Sequence, residues 1–202
     1  MEHAVPQKHH DHEDHGHDEN SLKIFGFWIF LITDLILFAT LFATYVILMG
    51  RYNGGPTGEE LFEIPIFVAS TFILLTSSFT SGLATLALHK GHVKQVVGWL
   101  SVTVLLGASF IGLEITEFAT MVEEGATISS SAFLAAFFVL VGTHGIHVSV
   151  GIVWMISIII QLLRRGINEE TNRKTFIVGL YWHFLDVVWI FIFTVVYLIG
   201  VM

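Results

Sequence analysis

Five long apolar runs dominate the chain, near residues 24–49, 64–88, 93–119, 131–163 and 175–201. Each exceeds the ~20 residues that a helix needs to cross ~30 Å of hydrocarbon. None alternates apolar and polar positions with a period of two, so the pattern does not predict strands. A helix satisfies its own backbone inside lipid. The pattern therefore predicts an all-α polytopic membrane protein with five transmembrane helices. The fourth run is the longest and has to tilt or extend past the bilayer. Residues 1–22 differ: they contain no apolar run and cannot build a core, so they are expected to be a disordered extension of a membrane domain spanning 23–202.

Composition supports this division. The chain is 54% hydrophobic and 13% charged, against roughly 25% charged residues in an ordinary soluble domain. There is no cysteine, which excludes disulfides and thiolate metal ligands. The stretch MEHAVPQKHHDHEDHGHDEN holds six of the 11 histidines and six of the 17 acids. It is not a signal peptide, because it lacks an apolar core. Its histidines suit loose contact with divalent ions, but no ligand spacing stands out, and a solvated tail is the simpler reading.

Basic residues set an expected orientation. With five spans, Lys8, Lys23, Lys90, Lys94, Arg164, Arg165, Arg173 and Lys174 share one side, and Arg51 alone lies on the other. Positive charge accumulates on the cytoplasmic side. The N-terminus is therefore expected in the cytoplasm and the C-terminus in the periplasm. The opposite loops are acidic, with Glu59, Glu60, Glu63, Glu123 and Glu124. The basic residues sit at helix ends, so nothing points to nucleic acid. The stretch GGPTG at 54–58 lacks the Lys-Ser/Thr pair of a phosphate loop and reads as a turn.

The candidate chemistry lies inside the spans. Asp34 is in the first, Glu114 and Glu117 in the third, His144 and His147 in the fourth, His183 and Asp186 in the fifth. The last three sets are spaced i, i+3, which puts both members on one helix face. Ionisable groups in a membrane are usually paired and turned inward. Counting ~1.5 Å per residue allows Asp34, His147 and Asp186 to meet near the midplane. Three readings remain open: a proton path, haem ligation by histidines on facing helices, and a polar network that pins helix packing. Haem has the least support, since only the fourth and fifth spans carry histidines. Small residues four apart, at Gly145/Ser149, Ser78/Gly82 and Ala108/Gly112, mark candidate close helix contacts. Trp28, Trp182, Trp189 and Tyr197 are candidates for interfacial anchors or for ordinary packing.

Several separated blocks resemble subunit III of the haem–copper respiratory oxidases, from about residue 23 to the C-terminus. They are KIFGFWIFLITDLILFATLFATY, FEIP at 62–65, GLEITEF at 112–118, VGTHGIHVSVG at 141–151 and YWHFLDVVWIFIFTVVY at 181–197. Asp34 in TDLILF, the loop GGPTGEELFEIP and the His-rich extension resemble most closely the branch that oxidises ubiquinol, the cytochrome bo type. The resemblance implies an accessory, non-redox subunit of a proton-pumping oxidase in a bacterial inner membrane. Haem b, haem o and copper would then reside in the partner subunit I, and subunits I, II and IV and phospholipids would be the partners. Ubiquinol would be met only by the whole complex. It also implies that Asp34 supports proton uptake, and that Glu114, Glu117, His144, His147, His183 and Asp186 are the matching polar positions. A subunit III of a cytochrome c oxidase and a free-standing proton or ion transporter are the competing readings. No internal repeat of the kind transporters show is visible.

Overall fold

The computed structural model describes the backbone of residues 11–52 and 64–199 and the side chains of 22–52 and 65–199. The loop GGPTG and the first ten residues lie outside the described residues. Five helices follow in order: α1 (Asp11–Leu48), α2 (Ile64–His89), α3 (Val93–Glu123), α4 (Ala132–Arg165) and α5 (Glu169–Ile192), which continues as a π-helical segment, Phe193–Leu198. All five are long and apolar enough to cross a membrane.

Local chemistry explains the boundaries. Ser131 caps α4 by accepting a bond from the Leu134 amide at 3.1 Å, and Gly166, at φ 66°, ends it with its N–H on the Leu162 carbonyl. Only a residue without a Cβ takes that conformation cheaply. Asn168 and Thr171 then form a reciprocal capping box, with both bonds at 2.8 Å. This cap starts α5 at Glu169, six residues before the apolar run at 175. Polar residues extend a capped helix as readily as apolar ones. Likewise the α1 helix begins at Asp11, ahead of its apolar span Leu22–Leu48. The α1 helix thus runs on ahead of the apolar span. Helix propagation needs only one added bond per residue, and hydrophobicity is not required for it.

Helices α2 to α5 pack in sequence around a common core, and α5 closes the ring by returning to α2. Helix α1 lies outside this ring against α4 and α5. Its buried residues Leu31, Asp34, Phe38 and Tyr45 form one narrow stripe, and most of its other side chains are exposed. Between α1 and α5 an apolar cleft of about 590 Å³ remains, lined by Phe38, Phe42, Val46, Phe184, Val187 and Phe191 among others.

The tightest contact in the ring is at Trp182. A Cβ added at Gly107 would lie 2.7 Å from its ring, and one at Gly151 would lie 3.1 Å from it. The indole of α5 therefore slots between the backbones of α3 and α4. Its Nε1–H donates to Ser77 Oγ at 2.9 Å, which ties in α2. One open reading is decided here and one expectation changes. Trp182, Trp189 and Tyr197 are fully buried core residues, whereas Trp28 is exposed. The close approaches fall at Gly107 and Gly151, while a Cβ at Gly82 or Gly112 would meet nothing within 4 Å and one at Gly145 only Ile111 at 4.0 Å. A four-residue spacing of small side chains permits close packing, but a large ring in the facing helix determines where it occurs.

Candidate functional site: three buried polar clusters

The seven ionisable residues within the spans fall into three groups, plus one isolated histidine. The first group joins α1, α4 and α5. His147 Nε2 lies 3.1 Å from Asp34 Oδ1, and the other ring nitrogen is 2.7 Å from the Thr143 carbonyl. That carbonyl can only accept, so Nδ1 carries a proton and donates it. Asp34 is 6% exposed and His147 22% exposed, so the pair is internal but reaches the edge of the bundle. Tyr181 donates its hydroxyl to the His147 carbonyl at 3.2 Å. Phe38, one turn beyond Asp34, packs its ring 5.2 Å from that of His147. This is an acid–base pair whose geometry is held by one backbone bond and two aromatic neighbours. A proton can pass along the Asp34–His147 contact.

The second group joins α2 and α5. Ser78 Oγ is 2.7 Å from His183 Nδ1, and the Asp186 carboxyl sits against the same hydroxyl and beside the His183 ring. Asp186 therefore does not join Asp34 and His147, although its depth would have allowed it. The helical rotation of α5 turns His183 and Asp186 toward α2 and leaves Tyr181 facing α4.

The third group lies nearer the ends of α3, α1 and α5. Glu114 and Glu117 are both buried and both lie near the Tyr197 phenol, with Tyr45 adjacent. Tyr45 donates to the Val196 carbonyl at 3.5 Å, within the π-helical segment. That carbonyl also accepts from the Ile199 backbone N–H, and its second lone pair is met by a phenol from another helix.

His144 stands apart. It is fully buried, its two ring nitrogens have no hydrogen-bond partner among the described residues, and it stacks on Trp189 with ring centroids 5.4 Å apart. Phe110 meets it edge-on at 6.0 Å. The i, i+3 spacing from His147 thus does not make the two histidines one site. Among the described residues, no three His, Asp or Glu side chains come together as metal ligands.

Ser78 and Tyr181 are the site residues that the sequence did not mark for chemistry. Ser78 was visible only as a small residue. Its depth, midway along α2 opposite the middle of α5, was the available signal. Tyr181 lies two residues before His183 in the sequence, but its role depends on how α5 is turned.

Comparison with known proteins places this architecture. Residues 9–201 match the family model for cytochrome c oxidase subunit III. The chain is 52% identical over 95% of its length to cytochrome bo(3) ubiquinol oxidase subunit 3 of Pseudomonas aeruginosa, covering 91% of that protein. It is also 52% identical over 99% of its length to quinol oxidase subunit 3 of Bacillus spizizenii, covering 98%. A third relative, cytochrome c oxidase subunit 3 of Bacillus sp. PS3, is 50% identical over 90% of the chain and 88% of that protein. Five membrane-spanning helices, a match along nearly the whole sequence and half-identical relatives of the same length lead to one conclusion: the chain belongs to the cytochrome c oxidase subunit III family.

Proposed function

We propose that this chain is the accessory, non-redox subunit III of a proton-pumping ubiquinol oxidase, a terminal oxidase that reduces oxygen to water. The observation that carries this reading is the 52% identity to quinol oxidase subunit 3 across 99% of the chain. The chain sits in a bacterial inner membrane with its N-terminus in the cytoplasm, as the distribution of basic residues favours. Haem b, haem o and copper belong to subunit I, on which this chain packs, and subunits II and IV complete the assembly. In this reading Asp34 and His147 form the chain's proton-handling element, which supports proton uptake by subunit I. The apolar cleft between α1 and α5 has the size and lining to hold a phospholipid acyl chain. The Glu114–Glu117 and His183–Asp186 groups hold the helices in register, since interhelical hydrogen bonds in membranes are worth about 0.6–2 kcal/mol each.

The test is purification in mild detergent through a tag on this chain, with mass spectrometry, an optical spectrum and oxygen uptake. A haem-bearing multi-span partner and ubiquinol-dependent oxygen uptake are expected. A lone, colourless 22.6 kDa chain under conditions that preserve complexes would overturn the proposal. A second reading, subunit III of a cytochrome c oxidase, rests on the Bacillus sp. PS3 relative. It predicts uptake driven by reduced cytochrome c and not by ubiquinol.

A further inference from the structure

Tyr181 of α5 faces both members of the Asp34–His147 pair. Its hydroxyl donates to the His147 carbonyl at 3.2 Å, and the phenol lies within electrostatic reach of Asp34. The side chain is 3% exposed. The His147 carbonyl is met twice: the helix ladder gives one lone pair to the amide four residues on, that of Gly151, and the phenol takes the other. Gly151 is also what lets the ring come so near to α4. A Cβ there would lie 3.2 Å from Tyr181 Cε1, inside the optimal carbon–carbon separation of about 3.5–4.0 Å. Trp154, also on α4, packs against the same ring with centroids 5.8 Å apart.

Two consequences for the pair come from this placement. The Asp34–His147 contact, at 3.1 Å, is near the long end of the ordinary range of about 2.7–3.2 Å, so a drift of about 0.5 Å breaks it. Helix α1 lies outside the ring against α4 and α5, so the separation of Asp34 from His147 depends on how those two helices are joined. The phenol also has a single proton, and that proton goes to the His147 carbonyl. It offers none to Asp34, whose second oxygen is buried with no partner among the described residues. His147 is left as the hydrogen-bond partner of the carboxyl, and a proton that Asp34 exchanges with it passes between Oδ1 and Nε2.

From this geometry we propose that Tyr181 is the positioning residue of the Asp34–His147 pair: lying on Gly151, it fixes the His147 turn of α4 against α5 and so keeps the imidazole at bonding distance from Asp34. It acts through His147 and exchanges no proton itself. A displacement of about 1 Å in a positioned group slows its step by up to about 10²-fold, so a single hydroxyl on the supporting helix has a measurable effect. This inference rests on the reading of Asp34 and His147 as a proton-handling element, and it adds the residue that holds them in register. The other ionisable groups that face the pair are His144, one turn away on α4, and Tyr181 itself on α5; His183 and Asp186 of α5 turn toward α2.

The test uses the whole complex, purified through a tag on this chain, with oxygen uptake measured across pH. Asp34→Asn sets the reference, a deficit that grows as pH rises. Tyr181→Phe removes the hydroxyl and keeps the ring on Gly151. It should give a deficit of the same sign, about two- to tenfold at the alkaline end, the equivalent of one hydrogen bond. The double variant should do no worse than Asp34→Asn alone, because a positioning residue has nothing left to position. Asn168→Ala, which weakens α5 at its cap, controls for a merely structural effect and should keep the parental shape of the profile. A parental profile for Tyr181→Phe, multiplied losses in the double variant, or the same steepening in Asn168→Ala overturns the positioning role. Infrared spectra of the same preparations give a second measure: the carboxyl band that Asp34→Asn removes should shift in Tyr181→Phe, and an unmoved band overturns the proposal. The two failures are distinct. If Asp34→Asn shows its deficit and Tyr181→Phe does not, the role of Tyr181 alone is wrong. If Asp34→Asn itself keeps the parental profile, the proton-handling reading falls and this inference with it.

Discussion

Replacing Gly107 by alanine tests how the ring is assembled. The new Cβ would lie 2.7 Å from Trp182 Cη2, 2.9 Å from Cζ2 and 3.4 Å from Ile152 Cδ1. The indole cannot retreat freely, because Gly151 approaches it on α4 and Ser77 holds its N–H. Forcing a methyl into a packed core costs about 1–3 kcal/mol. If the ring shifts away from Ser77, a further ~0.5–1.5 kcal/mol of hydrogen bonding is lost. Alanine regains about 0.5–1 kcal/mol through its better helix propensity. The net expectation is a loss of about 1–3 kcal/mol, read by reversible SDS titration in mixed micelles with helical circular dichroism. Gly112→Ala, on the same helix with open space at its Cβ, should be neutral or slightly stabilising. Combining Gly107→Ala with Trp182→Phe removes the clashing ring atoms, so the double variant should lose less than the sum of the singles by at least ~0.5 kcal/mol. A change below about 0.5 kcal/mol for Gly107→Ala, or strict additivity in the cycle, would refute the account of Trp182 as a wedge between two backbones.

Other expectations follow from individual contacts. Asn168→Ala removes the side-chain half of the α5 cap and should cost about 1 kcal/mol in the same titration; an unchanged midpoint would mean that the cap contributes nothing. His144→Phe takes two unpartnered nitrogens out of an aromatic box of Phe38, Phe110 and Trp189. Removing buried polar atoms that lack partners should leave stability equal or higher, and a loss above about 2 kcal/mol would show that those nitrogens are satisfied in the membrane. Asp34→Asn keeps the shape of the contact with His147 but removes an ionisable group. The complex should assemble normally while its oxygen uptake falls further behind the parent as pH rises and protons become scarce; a deficit independent of pH would argue against proton supply through Asp34.

Much of this protein was readable along the chain because the membrane simplifies the problem. A run longer than ~20 apolar residues has one stable solution in lipid, a helix, and five such runs set the number of spans. The polar positions within them were equally visible, since each is an exception in an apolar stretch. Helix starts were less so: α5 begins at Glu169 because Asn168 and Thr171 cap it, a local signal that hydrophobicity overlooks. The spacing of small residues pointed to Gly82, Gly112 and Gly145, yet close contact occurs at Gly107 and Gly151, where a tryptophan from another helix requires it.

The sequence by itself determined the class of the protein, its five spans and the set of seven ionisable residues inside them. Periodicity and the cost of an exposed peptide group in lipid are properties of each segment alone. Only the tertiary structure decided which of those residues meet. It paired Asp34 with His147, turned His183 and Asp186 toward Ser78 and left His144 in an aromatic box. Those partnerships depend on the rotation of each helix about its axis. That rotation is set by large side chains such as Trp182 finding room against glycines on neighbouring helices, and no single span encodes it.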